Sequence, residues 1–297
     1  EFSDYPAHRL GTPGHDTAYR LASQATSDLS RVQNALSDLS LRSGRDVPES
    51  GYEALYQALV GGGHDLHCDG RFDLETDIAP FRPSPSDPFY GTAHGVYDGS
   101  IPNTGEIGGV GFRRDAQKII IYATDAPMRD AGAGDWSPGG CPFDADHEMV
   151  VEAAMALDTR LIGVAMRATN PVLIQQMTQL AEDTDSTVDD GQSDRPIVLD
   201  WQDGDVVEQI VEKISHLIGG RYYDQLDVAV HHDPMDLVQA INPRQFDPWD
   251  ALDFTLELDA IGKMNDHWQT SRIVVGLYGD GVLIAESWVM VGIPPRP

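Results

Sequence analysis

Apolar residues recur along the chain with two different periods, and the change from one to the other sets the expected organisation. In SGYEALYQALVG (50–61), Tyr52, Leu55, Tyr56 and Leu59 repeat at three and four, and Gly61–Gly63 follow. That is one face of a helix with a stop signal behind it. KIIIYATD (118–125) is a short run of β-branched and apolar residues bounded by charge, which predicts a buried strand. The same reasoning predicts a helix over 146–157, a strand over 160–166, a helix over 171–183, a strand over 195–200 and a helix over 205–219. Strands alternating with helices imply an α/β fold, a parallel sheet with helices on both faces.

After Gly219–Gly220 the pattern changes. YYDQLDVAVHH, DFTLELDAIG, RIVVGLYGDG and VLIAESWVMVGI read as strands with no helix between them. Phe254, Leu256 and Leu258 alternate with Asp253, Thr255, Glu257 and Asp259, the period of a half-buried strand. The expectation is a first domain over 1–219 and a second, a small all-β sandwich, over 220–297.

Three stretches lack a clear period. Residues 1–47 are polar, with a possible helix in 18–39, where Leu29, Val32 and Leu36 have helical spacing. Residues 64–110 are rich in Gly, Pro, Asp and Ser and read as a long irregular excursion, of a length that is usually functional or disordered. The acidic segment 183–194 reads as a solvated loop.

Composition narrows the function classes. The 297 residues hold 48 Asp+Glu against 20 Lys+Arg, a formal net charge of −28. A general nucleic-acid binder needs a cationic face, and so does a protein docking on anionic lipid. The balance instead favours cations or basic surfaces as partners, or solubility in a salty habitat. No apolar run approaches the roughly 20 residues that span a bilayer, so no membrane insertion is expected within this segment. EFSDYPAHRL has neither the basic nor the apolar region of a leader and reads as the middle of a longer protein, with Phe2 at a strand end.

Cys68 and Cys141 are the two cysteines. Their even number fits one disulfide in an oxidising compartment; two buried thiols are the alternative. His64, His67, Cys68 and Asp69 could suggest zinc, but the spacing is not that of a closed four-ligand set. DGRFDLETD (69–77) offers alternating oxygens for Ca2+, without the fixed spacing or turn glycine of an EF-hand.

Two segments carry carboxylates placed like a site. In RDVPESG (45–51), Asp46 and Glu49 flank Pro48 just before a helix; an ordinary helix cap is the alternative. In YATDAP (122–127), Asp125 ends a strand, where open parallel sheets bind ligands; a loop-capping Asp is the alternative.

IYATDAP, preceded by GFRRDAQK, resembles the central strand of the integrin β-subunit I-like domain, a von Willebrand factor A-type fold. RDVPESGYEALYQAL resembles that family's D-x-P-E-G-G-F-D-A-I segment. Cys68 after this helix and Cys141 before the next match the family's disulfide in position, EFSDYP resembles its strand ending F-V-D-K, and LDWQDGDVVEQIVEKI resembles the segment before V-x-Q-L-I-x-D-A. The β-rich tail sits where the family places its hybrid domain.

The resemblance implies a doubly wound, mostly parallel sheet. It implies that Glu49 is a ligand of a central Mg2+, the metal-ion-dependent adhesion site, with Asp125 beside that metal. It implies that Asp4, Asp46, the carbonyl of Pro48 and Glu49 form a neighbouring Ca2+ site, where the family's Asn falls at Gly44. Trp201 falls where the family offers a carbonyl to a third site. The family's D-x-S-x-S motif is missing; Asp28-Leu-Ser30 and Asp38-Leu-Ser40 lie in polar helical sequence. The first strand and helix are therefore expected upstream of Glu1, and metal binding by this chain is expected to be weak or absent. The insertion 69–110 has no counterpart in the family.

The implied function is an extracellular or cell-surface adhesion module that binds a protein ligand through a carboxylate, with any partner subunit unknown. The alternative is a surface scaffold with a vestigial metal site. No G-x-S-x-G, H-E-x-x-H or phosphate loop occurs, and His231-His232 beside Asp233 comes without a nucleophile motif, so enzymatic activity is not expected.

Overall fold

The computed structural model of the chain describes all residues except 8, 40–43, 115, 168, 190–192, 220–225, 243–244, 247–254, 259–266, 268, 280–281 and 294–297. It divides into two compact units, Glu1–Gly220 and Arg221–Pro297.

The first unit contains α1 (Leu29–Ser37), α2 (Gly51–Leu59), β1 (Lys118–Thr124), α3 (His147–Ala156), β2 (Thr159–Ala165), α4 (Pro171–Asp183), β3 (Thr187–Asp189), β4 (Asp194–Pro196), β5 (Val198–Asp200) and α5 (Val206–Gly219). β1, β2 and β5 form a parallel sheet in that order. The α/β expectation therefore holds. Leu161 and Ala165 of β2 pack with Tyr52, Leu55 and Leu59 of α2, Val150 of α3 and Met177 of α4. Ile162 and Val164, pointing the other way, pack with Val206, Ile210 and Ile214 of α5. A parallel strand covered on both faces is apolar throughout, which is why RLIGVA shows no alternation.

Capping sets the helix starts. Asp28 Oδ1 accepts from the backbone N–H of Ser30 and Arg31, Asp146 from Met149, and Asn170 from Val172 and Leu173. Asp28-Leu-Ser30 is thus the cap of α1; Ser40 of the second such triplet lies outside the described residues. The helix expected from 18 begins only at Leu29, because the preceding residues are engaged elsewhere. The Ala25 N–H donates to the Val110 carbonyl, and the Gln24 side chain bonds both backbone groups of Asp98.

Two further expectations are corrected. Residues 1–6 form no strand: Ser3 and Arg20 donate to the carbonyls of Thr17 and Glu1, pairing the segment with 17–20 rather than with the sheet. The acidic 183–194 segment is not merely a solvated loop. Thr184 and Ser186 are buried, and β3 pairs antiparallel with β4. The Ser186 hydroxyl accepts from the Leu161 N–H, tying the segment to β2.

Residues 64–110 form neither helix nor strand, yet Ile78, Phe81, Phe89 and Ile101 are buried there. Aspartates fold the segment. Asp65 accepts from His67 and Gly70, Asp77 from Leu66 and Asp73, Asp87 from Ser84, Phe89 and Gly91, and Asp98 from Ser100. These are side chain-to-backbone turns, so the Asp/Gly/Pro-rich composition is turn chemistry.

The second unit contains β6 (Leu226–His232), β7 (Val238–Asn242), β8 (Gln245–Phe246), β9 (Thr255–Leu258), β10 (Gln269–Gly279) and β11 (Val282–Ile293). One antiparallel sheet has the order β11-β10-β6-β8, and β7 pairs with β9. Val228, Leu237, Ile241, Ile273, Val275 and Ile293 form its core. β7 carries no sequence expectation; the turn before it is made by Asp233, whose Oδ2 accepts from Leu237 and Val238. Parts of the expected strands, 222–225 and 253–254 among them, lie outside the described residues.

Candidate cation site at the end of the parallel sheet

Asp125 follows the carboxyl end of β1. The loop behind it is pinned from two sides. Gln176 of α4 clamps Met128, accepting from its N–H at 2.8 Å and donating to its carbonyl at 2.7 Å. Glu49 makes a parallel bridge to the same residue: its N–H donates to the Pro127 carbonyl and its carbonyl accepts from the Arg129 N–H. Gly51 permits this approach, since a Cβ there would stand 2.4 Å from Met128 Cγ. The segment before α2 is thereby docked onto the loop after β1.

The alternative of a plain helix cap does not describe these residues. Ser50, at the N-cap position of α2, makes no side-chain cap bond; its hydroxyl donates to the Ala18 carbonyl instead. Asp46 reaches Arg129, and Glu49 reaches Thr124.

The five expected ligands fall into two groups. Asp4, Asp46 and the Pro48 carbonyl converge on one atom, Nη2 of Arg129, at 3.3, 2.9 and 2.7 Å. Arg129 Nη1 donates to the Trp136 carbonyl at 2.9 Å. The Arg129 and Asp4 side chains are 4% and 0% exposed, while Asp46 is 42% exposed. Gly44 lies on the same cradle, its would-be Cβ 3.4 Å from Asp4 Oδ2. The place expected for Ca2+ is therefore filled by a side-chain cation. These oxygens do not fit a second cation, because the guanidinium stands where the ion would.

Glu49 and Asp125 form the other group. Burial pushes the Glu49 carboxyl up to about 7; the Asp125 charge adds to this, the Thr124 hydrogen bond opposes it, and Asp16 adds again. Asp125 also lies 3.4 Å from Nε of Arg167, which follows β2. The donors here are all oxygen, and that chemistry suits a hard cation such as Mg2+. Trp201, the residue matched to the third site, is half-exposed in the turn after β5.

The other candidates are dispersed. Cys68 and Cys141 form the disulfide, so Cys68 is not a zinc ligand, and His67 is exposed. Asp69, Asp73 and Asp77 accept backbone N–H groups within their own turns. In the second unit His231 contacts Tyr278 and Glu286, while Asp233 holds its turn, so the trio does not assemble.

Arg129 is the site residue that sequence reasoning missed. Its one signal was a basic residue four positions after Asp125 in an acidic chain.

Stability should depend on pH through these carboxyls. Burial, opposed by Arg129, raises Asp4 from 3.8 to about 7, and Glu49 rises from 4.5 to about 7. Between the ordinary and raised values the folded chain binds more protons than the unfolded chain. Their stabilisation is thus complete below the ordinary value and is lost as pH rises through about 7. Urea midpoints should fall from pH 5 to pH 8, and Glu49→Gln should flatten the fall. A midpoint that climbs over this range would refute the assignment.

No protein-family model matches the chain, and no curated protein matches it. Among the described residues, no helix is long and apolar enough to cross a membrane.

Proposed function

We propose that this chain is a ligand-binding module of the von Willebrand A type, related in design to the integrin β I-like domain. On this reading a divalent cation bound near Glu49 and Asp125 presents an open position to a carboxylate on a protein partner. The observation that carries the reading is the docking of the Glu49 backbone onto the loop after β1, next to Asp125 at the carboxyl end of a parallel sheet, where the Asp125 charge helps to raise the Glu49 carboxyl. The disulfide, the acidic surface and the two-sided helical cover of the sheet support an extracellular setting and the A-type architecture. The two antiparallel sheets of the second unit support a hybrid-like sandwich.

Mg2+ would supply a Lewis-acidic point for the partner's carboxylate. Glu49 and Asp125 would hold it. Arg129 would do the work of the neighbouring Ca2+, holding the Asp4–Asp46–Pro48 segment in place without exchanging with solvent ions.

Glu49 and Asp125 supply only part of the near-octahedral shell Mg2+ demands, so binding should be weak. Mn2+ titration followed by electron paramagnetic resonance should show this weak site, and Glu49→Ala or Asp125→Ala should abolish it. Absence of any bound Mn2+ would discard metal-dependent ligand binding by this chain. The second reading, a surface scaffold, would then stand; the Arg129 cradle favours it, since that half of the site is satisfied by the chain's own cation.

A further inference from the structure

Glu53, His64 and Asp144 meet in the interior, away from the Glu49–Asp125 group. Glu53 comes from the first turn of α2, His64 from the segment after the Gly61–Gly63 stop, and Asp144 from the loop before α3. All three are buried, at 2%, 1% and 5% exposure. One carboxylate oxygen from each acid and one imidazole nitrogen lie within 4.8 Å of one another.

The unused atoms point to a ligand. His64 Nε2 and Asp144 Oδ1 lie 3.2 Å apart, yet without the alignment of a hydrogen bond, and neither has a hydrogen-bond partner among the described residues. The remaining atoms are engaged. Asp144 Oδ2 accepts from the Gly139 N–H at 2.7 Å, and Glu53 Oε1 accepts from Gln57 Nε2 at 2.9 Å. Glu53 Oε2 accepts from the Ala145 N–H at 2.8 Å and the Tyr5 hydroxyl at 3.3 Å. Such outer bonds fix the orientation of metal-binding carboxylates.

Charge points the same way. Among the described residues no lysine or arginine forms an ion pair with Glu53 or Asp144. Even with His64 protonated and paired with Asp144, the two buried carboxylates leave one negative charge uncompensated, and a divalent cation neutralises both. The 3.2 Å separation is also close to the ~3.3 Å edge of a tetrahedron with zinc-length bonds to nitrogen and oxygen. Gly140 closes the cradle: at φ 149° its backbone lies against the ring, and a Cβ there would stand 2.2 Å from His64 Nε2.

We propose that Glu53, His64 and Asp144 supply three ligands to one Zn2+-class transition-metal ion in a buried site that joins α2, the 64–68 segment and the loop before α3. The imidazole selects a transition metal over Mg2+ or Ca2+, and burial of all three ligands fits a structural role. The ion would form a second cross-link beside the Cys68–Cys141 disulfide, and its binding energy would add to folding stability. The site is independent of the Glu49–Asp125 group.

The test uses the oxidised chain, stripped with chelator and then dialysed against Zn2+ or Co2+. One ion should be retained per chain, the unfolding temperature should rise, and Co2+ should give visible d–d bands. His64→Gln and Asp144→Asn should lose all three effects, and Glu49→Ala should keep them. Where a variant fails to fold, zinc-edge X-ray absorption of the unmodified chain decides: it should show one imidazole in an otherwise oxygen shell. No retained ion, retention unchanged in folded variants, or a shell without imidazole would each overturn the proposal.

Discussion

Replacing Arg129 with methionine is expected to destabilise the first unit by about 3 kcal/mol, the cost of breaking a buried ion pair by removing one partner. Methionine keeps most of the side-chain volume, so the loss reports the charge and its hydrogen bonds rather than a cavity. Three acceptors lose their shared donor: Asp4, Asp46 and the Pro48 carbonyl. Asp4 is the decisive one, because it is fully buried and otherwise accepts from the Tyr5 N–H. Without the guanidinium its carboxyl rises further and is neutral over a wider range, so the penalty should be smaller at pH 5 than at pH 8. Arg129→Lys should restore only part of the loss, since one ammonium cannot reproduce a planar fork that spans Asp4 and the Trp136 carbonyl. Urea unfolding at the two pH values checks all of this. A loss for Arg129→Met below about 1 kcal/mol, the scale of a surface pair, would mean that the cradle does not depend on its cation.

The alternating elements were legible in the sequence because their signals are local. KIIIYATD, RLIGVAM and PVLIQQMTQLAED carry burial in their own residues, and Asn170-Pro171 marks a helix start without outside help. The carboxylate groups were legible only as a set. Asp4 and Asp46 are 42 positions apart, and both were tied to a cation, but nothing local distinguishes an ion from an arginine 83 positions beyond Asp46. The Asp-rich segment 64–110 was misleading for another reason. The same composition serves disorder and tightly turned chain; which of the two occurs depends on whether the aspartates find N–H groups two to four residues on, as Asp65 and Asp87 do. Likewise, Glu53 sits on the face of α2 that the helical period leaves unassigned, and only the return of the 139–145 loop makes it a neighbour of His64 and Asp144.

Removing the disulfide should be the other large effect. Cys68 and Cys141 are 73 residues apart, so the bridge closes a long loop in the unfolded chain. The chain-entropy account puts the lost stability near 4 kcal/mol, and values of about 2–4 kcal/mol are typical. The folded state has other ties at this point: Asp65 and Cys141 exchange both backbone hydrogen bonds, at 3.0 and 2.9 Å. Those contacts survive in a Cys68→Ser/Cys141→Ser chain, so the native structure should persist while the unfolded ensemble expands. Two observables then separate. The unfolding free energy should fall by the stated amount, and the denaturant slope m should increase, because the released chain exposes more surface. Cys68 is exposed, so dithiothreitol should reproduce both changes without denaturant. A fall in stability with no change in m would locate the effect in lost native contacts around Cys141 instead of in the unfolded chain, and no fall at all would mean that the Asp65–Cys141 pairing already confines that loop before folding is complete.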